Sequence, residues 1–170
     1  WRRGDHEYVI TYNGEIYNFA EIRKELEWKG VRFQSSSDTE VILAAYAEWG
    51  EACVTRFNGM WAFALYDQAR RKLLLSRDRF GKKPLYYWLG PGGGAAGAGS
   101  NGRGTLLFAS EIKGLLQHPG VPRQPNARVI ADYLYRGLAT HTAETFFDGV
   151  LMLPASHSAV YDLDTRHLLL

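Results

Sequence analysis

The sequence lacks the features of several common protein classes. A single cysteine, Cys53, stands among 170 residues, which excludes an internal disulfide and a thiolate metal cluster and favours a reducing compartment, so we expect a cytoplasmic protein. No apolar run approaches the roughly 18 to 20 residues that a membrane span requires, and the opening WRRGDHEYV has no signal-peptide core. Neither membrane insertion nor secretion is indicated.

Concentrated charge and metal-ligand spacing are missing as well. The net charge is +2 and both signs are interspersed, so nucleic acid is not an expected partner. The 5 histidines show no metal-binding spacing, and we predict no metal site. The glycine-rich segment 90–104 lacks the Gly-Lys-Ser/Thr ending of a phosphate-binding loop, so we interpret it as a flexible surface loop.

What remains is the composition of an ordinary globular domain. Apolar residues make up 46% of the chain and charged residues 22%, which is the usual balance for a folded protein. A chain of this length can bury a substantial core. We therefore expect residues 1–170 to form one domain.

The first part of the chain predicts a strand followed by two helices. Residues 7–12 (EYVITY) are rich in β-branched and aromatic side chains, and Asn13-Gly14 is typical of a tight turn, so a strand ending in a turn is expected. Two segments with apolar residues at helical spacing follow. The first begins at Asn18, three residues before Glu21 as in a capping box, and the second begins near Ser37-Asp38. Asp38 is thereby placed at a helix N-terminus.

The remaining sequence predicts paired strands and short helices. GMWAFALYD and KLLLSRD, joined by residues 68–71, are typical of an antiparallel hairpin, and residues 84–89 and 105–109 predict a second strand pair. A short helix is expected after Ser110 and another, capped by Asn126, across residues 129–135. Residues 150–170 return to strand-like alternation. Consecutive hairpins with separately grouped helices favour an α+β fold.

Four segments occur in an order that is more informative than any one of them. They are YNGEIYNF at 12–19, SDTEV at 37–41, GMWAFALYD with LLLSRDRFGKKPLYY at 59–87, and FASEIKGLL at 108–116. Together they closely resemble the class II glutamine amidotransferase domain of asparagine synthetases, and residues 142–162 resemble the stretch that closes that domain. The resemblance implies the N-terminal-nucleophile hydrolase fold, a four-layer αββα sandwich with two antiparallel sheets, incomplete at its N-terminus and followed after Leu170 by a synthetase domain.

The resemblance implies an oxyanion hole at Asn13 and Gly14. These residues match the positions whose side-chain amide and backbone N–H stabilise the tetrahedral oxyanion that forms when the amide of glutamine is attacked. Each fixed donor of this kind contributes roughly 3 to 4 kcal/mol. Taken alone, the Asn-Gly pair would be explained by a turn.

Glu15 and Asp38 match the positions that hold the α-ammonium group of glutamine, a role that suits carboxylates. A helix cap is the alternative explanation for Asp38, and a solvated turn residue that for Glu15. The motif at residues 76–84 resembles the family's motif that leads into its Leu-Tyr-Tyr strand and is assigned a structural or coupling role, although an ordinary surface hairpin explains its individual Arg and Lys residues equally well. Ser110-Glu111 also matches the family, but a helix start explains this pair adequately.

The nucleophile that the resemblance implies is not in the sequence. In this family it is the cysteine at the mature N-terminus, whose own α-amine serves as the base. That cysteine and the arginine that holds the α-carboxylate of glutamine are expected upstream of Trp1. Cys53 lies in EACVTRFNG, an amphipathic helical piece, and is interpreted as a buried structural residue. We therefore predict that this chain alone does not hydrolyse glutamine.

The main hypothesis is that the parent protein hydrolyses L-glutamine and passes ammonia to an ATP-activated aspartate. No cofactor is expected in this segment, because ATP and Mg²⁺ belong to the C-terminal synthetase domain, whose Ser-Gly-Gly-x-Asp-Ser motif does not occur here. One alternative is a degenerate, non-hydrolysing module like that of β-lactam synthetase, which the retained site residues disfavour. An amidotransferase that serves another acceptor is disfavoured by the specific sequences YNGEIYNF and FASEIKGLL. A homodimer is compatible with the same resemblance.

Overall fold

Two stacked β-sheets between helical layers organise the residues that the computed structural model describes, namely 1–90, 94–95 and 104–170. The strands are β1 (Arg2–Arg3), β2 (His6–Ile16), β3 (Gly59–Asp67), β4 (Lys72–Arg77), β5 (Tyr86–Leu89), β6 (Gly94–Ala95), β7 (Leu106–Ala109), β8 (Val150–Met152), β9 (Ser158–Asp162) and β10 (His167–Leu169). The helices are α1 (Phe19–Trp28), α2 (Asp38–Trp49), α3 (Ile112–Leu115) and α4 (Ala127–Arg136), with a 3₁₀ helix at Gly50–Arg56.

The larger sheet has seven strands in the order β1-β2-β3-β4-β9-β10-β6, and the smaller has three in the order β7-β5-β8. All neighbouring strands are antiparallel except β10 and β6. The two predicted antiparallel sheets are therefore confirmed, with one parallel pair at the edge of the larger sheet. Of the glycine-rich segment expected to be a loop, residues 91–93 and 96–103 lie outside the described residues, and Gly94–Ala95 form β6.

Three clusters of buried apolar side chains establish the order of the layers. Helices α1 and α2 pack on the outer face of the larger sheet, where Phe63 and Leu65 of β3 are buried. The alternate residues Ala62 and Ala64 lie between the two sheets, as the two-residue period of a strand requires. On the far side of the smaller sheet, Trp88 packs with side chains from α3. The described residues therefore form the αββα sandwich that the resemblance implied.

The predicted hairpin, the second strand pair and the helix capped by Asn126 are confirmed, but the predicted turn at Asn13-Gly14 is wrong. Strand β2 runs on to Ile16, and Asn13 and Gly14 pair with Ala62 and Trp61 of β3. Nine consecutive pairs with β3 join these strands, and such long-range pairing overrides the local preference of an Asn-Gly pair for a turn.

Asn18 does not form the predicted capping box, although α1 begins directly after it. Its side-chain amide donates to the carbonyl oxygen of Arg56 at 3.0 Å and accepts the N–H of Asn58 at 2.8 Å. Asn18 therefore connects the start of α1 to the segment that leads into β3. None of the helices in the described ranges combines the length and the apolar surface that a bilayer-spanning segment needs.

The loop between β4 and β5 is organised around the fully buried carboxylate of Asp78. It accepts the backbone N–H groups of Trp61, Phe80, Lys82 and Lys83 at 3.0 to 3.2 Å. Burial acts to raise the pKa of this carboxyl, but the four N–H groups outweigh it, so the pKa is lowered. The acidic residue of the motif at 76–84 thus has a structural function.

The preceding residue, Arg77, connects the two sheets. Its largely buried guanidinium donates to the carbonyl oxygens of Lys83, Leu153 and Gly81 at 2.7 to 2.8 Å. Leu153 follows β8 of the smaller sheet, whereas Arg77 ends β4 of the larger one. A buried charge is tolerated only when it is well hydrogen-bonded, so this set of bonds holds the loop and both sheets in one arrangement.

Candidate active site

The residues singled out in the sequence lie along an open edge of β2. Beyond Tyr8, the described residues pair this strand only with β3. Ile16 donates its N–H to Asp38 and Tyr8 donates its N–H to Trp1, both on the side away from β3. Because N–H groups alternate between the two sides of an antiparallel strand, the N–H of Gly14 faces this same open edge. It is therefore available as a donor, as an oxyanion hole requires.

Glycine is required at position 14 because β2 and β3 approach closely there. A Cβ atom on Gly14 would lie 2.3 Å from the carbonyl oxygen of Met60 and 2.7 Å from the Cα of Trp61. Both are backbone atoms of the neighbouring strand and cannot move aside as a side chain can. Only glycine therefore fits at this point of the open edge.

The side chain of Asn13 borders a cleft between the two sheets. The cleft has a volume of about 150 Å³ and is lined by Asn13 and Ser110 among small or apolar residues such as Ala62, Ala64 and Phe108. The amide nitrogen of Asn13 lies 3.5 Å from the hydroxyl oxygen of Ser110, at the outer limit of a hydrogen bond. The amide therefore faces accessible space rather than the packed core.

Asp38 begins helix α2 but does not cap it. The Ser37 hydroxyl accepts the N–H of Thr39 at 3.0 Å, so Ser37 is the capping residue. The Asp38 carboxylate instead accepts the hydroxyl of Tyr12 at 2.7 Å and the N–H of Ile16 at 3.0 Å. The predicted position at a helix N-terminus is confirmed, whereas the alternative of a capping side chain is wrong. The carboxylate is held against β2.

Glu15 is exposed on β2, and its carboxylate has no hydrogen-bond partner among the described residues. The amide that follows it, at Ile16, donates to Asp38. The negative charges of Asp38 and Glu15 both act on the Tyr12 hydroxyl. The fold therefore brings the two predicted carboxylates to the same end of β2, beside Asn13 and Gly14.

Two further residues of this site were not singled out by the sequence patterns. Tyr12 begins the segment YNGEIYNF and donates its hydroxyl to Asp38; burial and this hydrogen bond raise the pKa of its phenol. Ser110, interpreted as part of a helix start, precedes α3 and contacts Asn13 instead. Both contacts join residues far apart in the chain, so no local pattern predicts them. The one available signal was that Tyr12 belongs to the motif YNGEIYNF.

Neither a reactive thiol nor a metal cluster accompanies the site in the described part of the chain. Cys53 is fully buried in the 3₁₀ helix, and burial raises its pKa to about 12, so the prediction of a buried structural cysteine is confirmed. A thiol with such a pKa is almost entirely protonated at neutral pH and is a poor nucleophile. Within residues 1–90, 94–95 and 104–170, no three His, Cys, Asp or Glu side chains are placed to hold a metal ion.

Known proteins are similar in sequence to this chain over most of its length. The glutamine amidotransferase domain family matches residues 2–168. Asparagine synthetase (glutamine-hydrolyzing) 3 of Bacillus subtilis is 35% identical over 157 residues, which are 92% of this chain and 24% of that protein. Putative asparagine synthetase (glutamine-hydrolyzing) 2 of Methanocaldococcus jannaschii is 34% identical over 162 residues, 94% of this chain and 28% of that protein. The chain thus spans about a quarter of the length of these curated relatives.

A solved structure supports the fold independently of sequence. Glutamine phosphoribosylpyrophosphate amidotransferase of B. subtilis, complexed with ADP and GMP, superposes with a TM-score of 0.53 at 16% identity, over 96% of this chain and 29% of that one. The predicted N-terminal-nucleophile hydrolase sandwich is therefore confirmed. By its family match and its fold, the chain belongs to the glutamine amidotransferase domain family and is homologous to the amidotransferase part of asparagine synthetases.

Proposed function

We propose that this chain binds L-glutamine during hydrolysis of its side-chain amide, and that the ammonia released is used to convert aspartate to asparagine. The observation that carries the proposal is the open edge of β2, where the Gly14 N–H and the Asn13 amide lie beside the carboxylates of Glu15 and Asp38. Amide hydrolysis needs donors for an oxyanion, and recognition of an amino acid needs anions for its ammonium group. One strand end offers both.

The Gly14 N–H and the Asn13 amide would act on the glutamine side chain. Attack of a thiolate on the amide carbon forms a C–S bond and moves an electron pair onto the carbonyl oxygen, to which both groups would donate. Donors fixed in this way are worth about 3 to 4 kcal/mol each in the transition state. Collapse of the intermediate breaks the C–N bond, the leaving nitrogen takes a proton and departs as ammonia, and water then hydrolyses the thioester to glutamate.

The carboxylates of Glu15 and Asp38 would act on the other end of the molecule by binding its α-ammonium group. Hydrogen bonds between oppositely charged groups are short and about twice as strong as neutral ones. The attacking thiol would come from a residue other than Cys53, which is buried and has a raised pKa. Assignment of the four site residues to these roles follows their match to the family motif.

The ammonia acceptor is proposed from the names of the relatives, which are asparagine synthetases about four times longer than this chain. ATP and Mg²⁺ would be bound by a synthetase domain, which the names of the same relatives imply. A cytoplasmic location is consistent with a sequence that contains one cysteine. The comparisons match this hypothesis and not the degenerate module of β-lactam synthetase type.

The test uses the full-length protein that contains this chain, with either glutamine or free ammonia as nitrogen source. Asn13→Ala should lower the glutamine-dependent kcat about 100- to 1,000-fold, whereas synthesis from added ammonia should be unchanged because it needs no hydrolysis. Asn58→Ala, at an exposed asparagine, is the matched control. Glutamate release by Asn13→Ala at the wild-type rate would exclude this oxyanion hole.

A further inference from the structure

The carboxylate of Asp38 uses its two oxygens unequally. Both hydrogen bonds that it accepts, from the Tyr12 hydroxyl at 2.7 Å and from the Ile16 N–H at 3.0 Å, go to Oδ2. In the described part of the chain, Oδ1 accepts no hydrogen bond. One oxygen is thus fixed to the protein, and the other is left for a ligand.

Asp38 is free for this arrangement because the preceding residue, Ser37, caps the helix. The first turn of an α-helix has N–H groups without partners, and an Asp side chain in that region readily turns back to accept one of them. In α2 the Ser37 hydroxyl already accepts the N–H of Thr39. The carboxylate can therefore point toward β2, where Tyr12 and Ile16 hold it.

Tyr12 is well suited to hold a carboxylate in one orientation. Its ring is half-buried and packs against the cluster between β2 and the two helices. The phenol is kept protonated, since burial and the neighbouring carboxylates raise its pKa, so its hydroxyl remains a donor throughout the physiological range. A hydrogen bond to a charged acceptor contributes more than a neutral one.

We propose that Tyr12 is a positioning residue for glutamine recognition: by donating to Oδ2 it fixes the Asp38 carboxylate so that Oδ1 receives the α-ammonium group. The inference rests on the proposed function, because it assigns a purpose to the free oxygen of a residue proposed to bind glutamine. It adds a residue that touches Asp38 and not the substrate. A structural link between β2 and α2 would use the same bond, but it would not discriminate between substrates.

The test is a comparison of two substrates in the full-length protein. 4-Carbamoylbutanoate has the side-chain amide and carboxylate of glutamine but lacks the α-amino group. Tyr12→Phe should raise the KM for glutamine about tenfold with little change in kcat, because it removes binding that is equal in ground and transition states. The kcat/KM for 4-carbamoylbutanoate should stay at the wild-type value. Tyr12→Met, which also removes the hydroxyl, should reproduce this loss of selectivity.

Two controls separate positioning from folding. Tyr17 belongs to the same motif and is 55% exposed. Tyr17→Phe also removes a hydroxyl and should leave the kinetics of both substrates unchanged. Ammonia-dependent synthesis and the thermal midpoint of each variant report folding independently of glutamine. In an Asp38→Asn background, Tyr12→Phe should have no further effect on the KM for glutamine.

The outcomes distinguish this inference from the proposed function. An unchanged KM for glutamine in Tyr12→Phe, or an equal loss for both substrates, overturns the role of Tyr12. An unchanged KM in Asp38→Asn overturns the assignment of Asp38 itself, and with it the proposed mode of glutamine binding. A raised KM in Asp38→Asn combined with an unaffected Tyr12→Phe removes only the inference about Tyr12.

Discussion

Gly59 of β3 passes so close to β2 that a Cβ atom on it would lie 2.1 Å from the carbonyl oxygen of Glu15. Replacement by alanine must therefore push the two strands apart next to the open edge that carries the site. We expect Gly59→Ala to lower the free energy of unfolding by about 1 to 3 kcal/mol, the usual cost of overpacking, and to weaken glutamine turnover. Urea unfolding and glutaminase assays measure the two effects.

Gly114 provides the control for this substitution. It lies exposed in α3, where a Cβ atom would make only an ordinary contact of 3.5 Å with Ala109. Gly114→Ala should stabilise the protein by about 0.5 to 1 kcal/mol because alanine favours a helix. Equal stability of the two variants would show that the close approach of β2 and β3 is not a constraint.

The buried carboxylate of Asp78 should be one of the most sensitive positions in the fold. Asp78→Asn keeps the shape but replaces one acceptor oxygen by an NH₂ group, which leaves backbone N–H groups of the loop without a partner. We expect a loss of about 1 to 3 kcal/mol in the free energy of unfolding. Asp164→Asn, at an exposed pair with Arg71, should change it by less than about 1 kcal/mol; a similar effect at both positions would contradict the prediction.

The stability of the protein should fall in acid because of two carboxylates. Burial tends to raise the pKa of Asp78 and Glu40, but hydrogen bonds from the protein outweigh it and lower both values. A lowered pKa stabilises the folded state above the unfolded values of about 3.9 and 4.3, and this contribution is lost as the pH falls through the folded values. The stability difference between wild type and Asp78→Asn/Glu40→Gln should therefore be full at pH 7 and shrink below about pH 4.

This pH dependence is measured by urea unfolding from pH 7 to pH 3. Glu40 is included because it accepts the N–H groups of Gln34 and Ser35 and the Ser35 hydroxyl at 2.7 to 2.9 Å. The same stability difference at pH 3 as at pH 7 would show that the two carboxylates do not have lowered pKa values.

Cys53 should be unreactive until the protein unfolds. With its pKa raised to about 12, the thiolate fraction at pH 8 is about a thousandfold below that of an ordinary thiol. We expect Ellman's reagent to react with the native 170-residue chain at least that much more slowly than in guanidinium. The chain should release no glutamate from glutamine above background, and release that disappears in Cys53→Ala would reverse this assignment.

Ser110 should have a small but specific effect on catalysis. Its hydroxyl lies 3.5 Å from the amide nitrogen of Asn13, a long contact that would orient the amide weakly. We expect Ser110→Ala in the full-length protein to lower kcat about two- to fivefold with an unchanged KM, equivalent to at most about 1 kcal/mol. Ser36→Ala, at an exposed serine, serves for comparison. A change in KM alone would show that Ser110 does not act by orienting the Asn13 amide.

Elements that depend on local patterns could be predicted from the sequence. The hairpin of β3 and β4 follows from two apolar runs with a short connection, and the start of α2 follows from Ser37 and Asp38. The prediction of a turn at Asn13-Gly14 was wrong because β2 is kept extended by a strand that is distant in the sequence. β3 begins 45 positions after Gly14, and pairing with β3 continues β2 as a strand through these residues. A local preference of the chain cannot report such pairing.

The site shows the same division. Ordered motifs singled out Asn13, Gly14, Glu15 and Asp38 as candidates, but excluding a capping side chain for Asp38 required the hydroxyl of Ser37 to be placed in space. The contact between Tyr12 and Asp38 spans 26 residues, and that between Asn13 and Ser110 spans 97. Neither has a local signature, since no spacing rule connects residues so far apart.

The guanidinium of Arg77 has a consequence for how the molecule opens. Arg77 is the last residue of β4 in the larger sheet, and its guanidinium donates to the carbonyl oxygen of Leu153, which directly follows β8 of the smaller sheet. Separation of the sheets at this end would leave a buried cation without its hydrogen-bond partner, which is costly. Both sheets should therefore exchange their amide hydrogens with a single opening free energy. For the same reason, domain swapping of the smaller sheet between two copies of the chain would first require the hydrogen bond between Arg77 and Leu153 to break.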